Sequence, residues 1–538
     1  MEARRSANYE VSIWDDDYIQ SLTSSYMEGK CEAEAAEKLK NEVKIMIDES
    51  RDELEQLELI DNLQRLGISN YFQDEIGKML HNIWETDHDQ HVERDLHATA
   101  LKFRLLRQHG YHVPQEVLGS LMENLKESSD VRGLVSVYEA SYLSMEGENI
   151  LDLSRDLSWH HLSERVEQIR EARVADQVRH SLELPLHWRV QRLEARWFAQ
   201  LYETRSDANP SLVDLAKLNF NMVQATYQGE LKRLSSWYKE SGLPEKLGFA
   251  RHRLAECFLW SVGFIPEAHL GHSRETLTKA AVLITIIDDI YDVYGTLEEL
   301  QLFTHTIERW DINSLERLPE YMAICFLALF NSANEFAYRI MRDQGFNVIS
   351  NLRRLWTELS RAYYLEAKWF EKGYIPSTDE YLKTACVSIS GPLLIIYGYL
   401  STTNPIKKEE LERLEQHPYP PIIACPSMVL RLADDLGTAE DEIKRGDVAK
   451  SIQCFINETG CSQEDARRHL NNLIQATLKA INKHILINNN NFNFNFTTIA
   501  MNIARISLCF YQHGDGFGLP HSQTNTNLLH LIVHHIPM

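Results

Sequence analysis

The 538-residue chain is short of the residues that punctuate a backbone, with 23 glycines and 15 prolines, fewer than average usage gives for this length. That argues against a turn-rich all-β architecture and for long helices. Positive charge is also scarce. Lys and Arg number 55 against 78 Asp and Glu, a formal net charge of −23. A nucleic-acid binder presents a basic face, so no nucleic-acid partner is expected. The eight cysteines (Cys31, Cys257, Cys325, Cys386, Cys425, Cys454, Cys461 and Cys509) form no CxxC pair. A zinc ribbon is therefore not expected, and free thiols in a reduced compartment are the simplest reading. The longest apolar stretch, Gly391 to Leu400 (GPLLIIYGYL), falls short of the roughly 20 residues that cross a bilayer, so no membrane span is expected. No secretory signal stands ahead of Arg4, so the sequons at Asn457 and Asn495 carry no weight.

What is present is ordinary for a globular protein: 44% hydrophobic and 25% charged residues, in a chain long enough for several domains and a full core. Apolar residues recur at three- and four-residue spacing in Ala33 to Ile47, Leu184 to Tyr202 and Asn219 to Trp237, the helical period. No series of alternating strands and no repeat emerges. Ser206 to Pro210 (SDANP) is polar, carries a proline and lies between helical patterns, which places a domain boundary there: residues 1–210 and 211–538. The low-complexity run Asn488 to Phe496 (NNNNFNFNF) reads as a surface loop between C-terminal helices.

Three segments carry chemistry. In Ala280 to Gly295 (AAVLITIIDDIYDVYG) an apolar run leads into Asp288, Asp289 and Asp292. A helix apolar on every side is buried, and Asp288 and Asp292, at i and i+4, share a face where like charges repel. A hard cation such as magnesium would relieve that repulsion; taken alone, the motif also fits an acidic helix end in solvent. In Arg431 to Lys450 (RLADDLGTAEDEIKRGDVAK), Asp434, Thr438 and Glu442 align over two helical turns. A hydroxyl between two carboxylates suits a metal, although an ordinary acidic helix remains open. Arg251-His252-Arg253 offers guanidinium groups suited to diphosphate oxygens, or a pair of surface arginines. Together the three make physical sense. Acidic faces do not attract a diphosphate, but cations held between them do, with Arg251, Arg431 and Lys450 completing a positive shell.

Over nearly its whole length the chain resembles plant class I terpene synthases, and their monoterpene branch in particular. DDIYD from Asp288 matches the aspartate-rich DDxxD motif. DDLGTAEDE from Asp434 matches the second metal motif, of NSE/DTE type, with Asp434, Thr438 and Glu442 in its ligand positions. RHR matches RxR, with His252 where Asp is usual. Arg4 and Arg5, followed by eight residues and then Trp14, match RRx8W. FLW ending at Trp260 and HGDGFG from His513 are further family elements.

The resemblance implies an all-α fold of two helical domains: an N-terminal α-barrel-like domain whose first residues cap the site, and a C-terminal class I terpenoid synthase domain. It implies metal ligands Asp288, Asp289, Asp292, Asp434, Thr438 and Glu442 for three Mg2+ ions, with Mn2+ as a substitute. Arg251, Asp288, Asp292, Arg431, Asp434 and Lys450 would bind the substrate, a prenyl diphosphate. Arg251, Arg253, Trp260, Arg431, Lys450 and Tyr511 would be catalytic. The expected reaction ionises geranyl diphosphate to an allylic cation, which cyclises or captures water and then loses a proton. Trp260, Tyr397, Tyr511 and Phe517 are the aromatic candidates for a dry pocket that stabilises it. A monomer or homodimer is expected. RRx8W closely follows a plastid transit peptide in the family, so a trimmed enzyme of the plastid stroma is expected, or otherwise a cytoplasmic one.

WDDDY at Trp14 to Tyr18 is no DxDD motif, which excludes class II chemistry. A prenyl elongase would carry two DDxxD motifs. A non-catalytic helical scaffold has no use for Thr438 between two carboxylates. Isoprene synthases narrow the pocket with phenylalanines where this chain has Ala281 and Leu430, so a ten-carbon substrate is expected ahead of a five-carbon product, with fifteen-carbon farnesyl diphosphate the alternative. Asp87, His88, Asp89, His91 and Asp95 read as a solvated loop. Gly514, Gly516 and Gly518 lack the strand and helix of a phosphate loop and read as a lid. Ser388 to Pro392 (SISGP) reads as a helix break in the pocket wall.

Overall fold

The computed structural model describes residues 4–5, 9–27, 30–86, 95–445, 449–488, 494–517 and 523–538; within these, the side chains of residues 30, 440–445, 487–488 and 494–495 are not described. Asp87, His88, Asp89, His91 and Gly518 lie outside the described residues, as do Asn489 to Asn493 of the asparagine-rich run. Among the described residues every regular element is helical, and there is no strand.

The chain forms two compact units. One comprises residues 24–225, 482–491 and 530–538. Its helices α1 (Glu53–Arg65), α2 (Leu96–Gln108), α3 (Val131–Ser141) and α4 (Asn149–Arg165) pack in succession, α1 on α2, α2 on α3 and α3 on α4. Asp95 caps α2: its carboxylate accepts the Ala98 N–H at 2.7 Å, which satisfies one of the donors that a helix start leaves open. Arg107 is buried and bonds Glu148 at 2.7 and 2.5 Å as well as the Val113 and Leu143 carbonyls.

The other unit comprises residues 1–23, 226–481 and 492–529. This division differs from the split at residue 210. Pro210 opens a 31-residue helix, α5 (Pro210–Glu240), which runs on unbroken, and the change of contacts falls inside it between Ala225 and Thr226. The first 23 residues group with the second half of the chain.

At the centre of this unit lies α7 (Gly271–Asp289), preceded by α6 (Leu254–Phe264). Leu277, Ala280, Val282, Leu283, Ile284, Ile286 and Ile287 of α7 are all buried, as its apolar run requires. Each large side chain removed from water contributes about 1.5–3 kcal/mol, so the carboxylates at its end stand on a rigid support. Around it follow α8 (Leu297–Arg309), α9 (Glu320–Gln344), α10 (Ile349–Glu371), α11 (Thr378–Ser388), α12 (Gly391–Thr402), α13 (Pro421–Arg445), α14 (Ser451–Thr459) and α15 (Phe494–Tyr511). α7 packs on α6, α9 and α12, and α13 packs on α12 and α15. Near the start of α7, Arg274 and Glu230 form a fully buried pair at 2.7 Å, and Arg274 also bonds the carbonyls of Ile265, Glu267 and Ala268.

Between α11 and α12, Ser390 sits at φ +66°, a conformation costly for a residue with a Cβ. Gly391 follows because a Cβ there would stand 2.4 Å from the Ser427 Oγ of α13. The stretch Thr378–Thr402 is 25 residues long and contains an 18-residue window of mean hydropathy 1.4, 72% of it buried. By length and composition it could cross a membrane, so the ten-residue stretch read from the sequence understates it. It is nonetheless two helices, broken at Ser390 and packed in the unit's core.

Candidate active site

A cleft enclosing about 1230 Å³ of non-atom space, its open mouth included, runs along one face of α7. Leu277, Ala281, Ile284 and Asp288 line it at spacings of four, three and four residues, a single helix face. The eleven residue-to-residue steps from Leu277 to Asp288 span about 16 Å. One end of the wall is thus carboxylate and the other hydrocarbon.

The acidic motif sits where the helix changes type. The α-helix stops at Asp289, and Ile290–Tyr294 forms a π turn. Such turns are rare and concentrate at functional sites. Asp288 and Asp292 both line the cleft, as expected. Asp289 does not. It is fully buried, accepts the Arg251 backbone N–H at 2.6 Å and pairs with Arg251 Nε at 2.8 Å. Burial pushes its carboxyl up to about 6, against the pull of Arg251. Expected among the metal ligands, Asp289 instead orients Arg251, whose Nη2 reaches Asp288 at 2.5 Å. Burial alone would lower the Arg251 pKa, but Asp289, Tyr9 and Asp288 outweigh it and raise it.

Across the cleft, α13 presents Arg431, Asp434 and Thr438, and Lys450 stands just before α14. Arg431 bonds Asp434 and meets Asp435 at 2.5 Å. Asp435 is fully buried and also takes the Tyr381 hydroxyl at 3.1 Å and the Ser451 N–H at 3.1 Å. Burial raises the Asp434 carboxyl, which also receives the Tyr511 phenol. The Thr438 hydroxyl donates to the Asp434 carbonyl at 2.9 Å, one turn back in the same helix. Glu442 lies on α13, its side chain outside those described. Among the described residues no three His, Cys, Asp or Glu side chains stand together as a ready metal cluster. Each acidic face is instead neutralised by its own arginine, and the faces look at one another across the cleft.

The donor set fits magnesium. Asp288, Asp292, Asp434 and Thr438 offer hard oxygens to one space, and the Cys257 thiol that also lines it is kept protonated by burial. Sequence reasoning missed one more carboxylate, Glu366 of α10. It lines the cleft, is 4% exposed, accepts the Ser388 hydroxyl at 2.7 Å and is raised by burial. The available signal was its place on the buried stripe of α10, in register with Leu352, Leu355, Leu359, Ala362, Tyr363 and Trp369. Tyr9 and Tyr363 also line the cleft and carried no sequence signal, and so does Asp515, which lies within the HGDGFG element.

Trp260 lines the wall, stacked on Phe510 with centroids 4.7 Å apart and 6.3 Å from Tyr511. Tyr511 and Phe517 line it too, as do Ala281, Leu430 and the SISGP residues Ser388, Ile389 and Ser390. Two candidates turn elsewhere. The Tyr397 hydroxyl accepts the Trp356 indole N–H at 2.8 Å, and Tyr397 packs in the core. Arg253 is 2% exposed and does not line the cleft; it donates to the Glu10 carbonyl at 2.9 Å and the Phe517 carbonyl at 3.2 Å.

The N-terminal segment lies on the DDxxD turn. Arg4 bonds Glu299 at 2.9 and 2.8 Å and the Tyr294 carbonyl at 3.1 Å. Its guanidinium lies 4.7 Å from the Tyr294 ring and 5.0 Å from Tyr321. Arg5 donates to the Asp292 carbonyl at 3.1 Å. The Trp14 indole donates to Asn525 at 3.0 Å. RRx8W thus fastens a strap to the backbone of the motif that carries Asp292.

Residues 239–480 match the terpene synthase family's metal-binding domain, and residues 13–182 match the terpene synthase N-terminal domain. The exo-alpha-bergamotene synthase of Lavandula angustifolia is 66% identical, with 99% of each chain covered. The (-)-alpha-terpineol synthase of Vitis vinifera is 50% identical over 99% of this chain and 91% of that one. Among solved structures, limonene synthase with 2-fluorolinalyl diphosphate superposes with a TM-score of 0.95 at 40% identity, covering 99% of this chain and 100% of that one. Isoprene synthase from grey poplar, in complex with three Mg2+ ions and dimethylallyl-S-thiolodiphosphate, gives 0.89 at 42%, covering 97% and 99%. With these domains, this fold and a cleft that joins two carboxylate-bearing helices to an apolar wall, the chain belongs to the terpene synthase family.

Proposed function

We propose that this terpene synthase ionises a prenyl diphosphate with magnesium, and that farnesyl diphosphate is preferred to geranyl diphosphate. The observation that carries the reading is a single cleft with Asp288, Asp292, Asp434 and Thr438 beside Arg251, Arg431 and Lys450, continuous with a wall of Leu277, Ala281, Trp260 and Leu430. The fifteen-carbon preference is supported by the bergamotene synthase relative, which stands at higher identity than the terpineol synthase. The RRx8W match favours the second reading, a monoterpene synthase acting on geranyl diphosphate.

Magnesium ions held by Asp288 and Asp292 on one side and Asp434, Thr438 and Glu442 on the other would stabilise charge on the departing diphosphate. We infer three such ions, with manganese as a substitute. The protein's own cations do the rest at that end. Arg251, Arg431 and Lys450 all line the cleft, the two arginines with their carboxylate partners, so all three can address the diphosphate oxygens. The apolar wall excludes water from the cation left behind, and the Trp260 ring offers it a π face. Burial holds the Tyr511 phenol well above its ordinary pKa, so it stands in the cleft as a neutral hydroxyl. The departing diphosphate takes the final proton.

The test is incubation of the purified protein with each substrate and magnesium, with product identification by gas chromatography and mass spectrometry. Higher kcat/KM on farnesyl diphosphate supports the first reading, and higher kcat/KM on geranyl diphosphate supports the second.

A further inference from the structure

Of the strap's described side chains, Tyr9 alone lines the cleft. The strap is fastened on both sides of it. Arg4 and Arg5 hold the π turn on one side. On the other, the Glu10 carbonyl accepts from Arg253, the Ser12 hydroxyl donates to Glu256 at 3.1 Å and Trp14 bonds Asn525. Between these anchors the Arg251 guanidinium lies 5.1 Å from the Tyr9 ring centroid, and Arg251 is itself held by Asp288 and Asp289. The ring is therefore pinned at the carboxylate end of the cleft, beside Asp288 and Asp292, in a half-buried position between solvent and the diphosphate site.

On the function proposed above, a carbocation and a departed diphosphate share this cleft, and two outcomes compete. In one, a C–H bond adjacent to the cationic carbon gives its electron pair to form an alkene, and the proton passes to diphosphate. In the other, a water molecule forms a C–O bond to the cation and then yields a proton to diphosphate, which leaves a terpene alcohol. Only the second needs water, and the carboxylate end, where Tyr9 sits, is the polar end of the cleft, where water would enter.

We propose that the Tyr9 ring seals this end against water and so sets the ratio of hydrocarbon to alcohol products. The aromatic body, rather than the hydroxyl, is what blocks access.

The test is turnover in 18O-labelled water, with the labelled alcohol measured as a share of all products. In Tyr9→Ala the share should rise by about threefold or more, as expected when exclusion of water is lost. In Tyr9→Phe, which keeps the ring, it should stay at the wild-type value. Limited proteolysis of the first 23 residues checks that the strap stays docked; if it opens in Tyr9→Ala, the comparison passes to Tyr9→Val, which trims the ring but favours extended backbone, with the same outcomes expected. A wild-type share in a docked ring-less variant overturns the inference, as does an equal rise in Tyr9→Phe. A wild-type protein that releases diphosphate from no prenyl diphosphate overturns this inference and the proposed function together, whereas normal turnover with an unchanged share overturns the seal alone.

Discussion

Replacing Arg4 with alanine removes the bidentate contact to Glu299, the bond to the Tyr294 carbonyl and the packing between Tyr294 and Tyr321. The Arg4 side chain is 33% exposed and that of Glu299 20%, so solvent screening discounts the ion pair. A charged hydrogen bond is worth about 1.5–3 kcal/mol when buried and an exposed pair about 0.2–1 kcal/mol. Strap docking should weaken by about 1–2 kcal/mol, a factor of about 5–30 in the docked-to-open ratio. Burial opposes ionisation of Glu299, but the hydrogen bonds from Arg4, the Thr296 backbone and Tyr321 outweigh it and hold the carboxyl down at about 2. A depressed folded pKa gives stability that is complete above the ordinary glutamate value and is lost as pH falls through about 2. Docking should therefore be flat across the neutral range. The assay is protease sensitivity of the first 23 residues, with turnover measured in parallel. Arg4→Ala should raise the cleavage rate and lower kcat with little change in melting temperature, and Glu299→Ala should add little to Arg4→Ala, because both remove one contact. Cleavage and kcat at wild-type values, or fully additive effects, would refute the reasoning.

Three further outcomes follow from the same geometry. Asp288→Ala should cut turnover by about a hundredfold or more while the fold survives, since what is lost is stabilisation of transition-state charge; circular dichroism checks the fold, and activity retained in excess chelator would count against metal dependence. Ala281→Phe should fill volume on the α7 face and shift products toward shorter or acyclic ones, read from the product profile; a profile like that of wild type would place Ala281 away from the substrate. Glu230→Ala should lower stability by about 3–5 kcal/mol in urea unfolding, because it strands the Arg274 charge in the core.

Helix content, the burial of α7 and the acidic ends of α7 and α13 were legible because each rests on a periodic pattern or a fixed local spacing. Both i,i+4 motifs do put Asp288, Asp292, Asp434 and Thr438 into one cleft. What spacing does not reveal is which way a side chain turns when its neighbours compete for it. Asp289 reads as a ligand in DDxxD, yet a π turn begins after it and its carboxylate is consumed by Arg251. Arg253 reads as the twin of Arg251, but two positions apart on a chain entering a helix point apart, and Arg253 turns to backbone carbonyls of the strap and the C-terminal loop. Glu366 and Tyr9 lie far from either motif in sequence and reach the cleft through tertiary packing. Their roles were accessible only as a charge on an apolar stripe, for Glu366, and not at all for Tyr9.

The central claim is that one magnesium-loaded cleft converts a prenyl diphosphate into a terpene and diphosphate. Its most direct test is release of diphosphate and volatile terpene by the purified chain from farnesyl and geranyl diphosphates, with and without magnesium. The account predicts terpene formed together with diphosphate only when magnesium is present, and faster from farnesyl diphosphate. Product formed in excess chelator, or no terpene from either substrate with magnesium present, would contradict it.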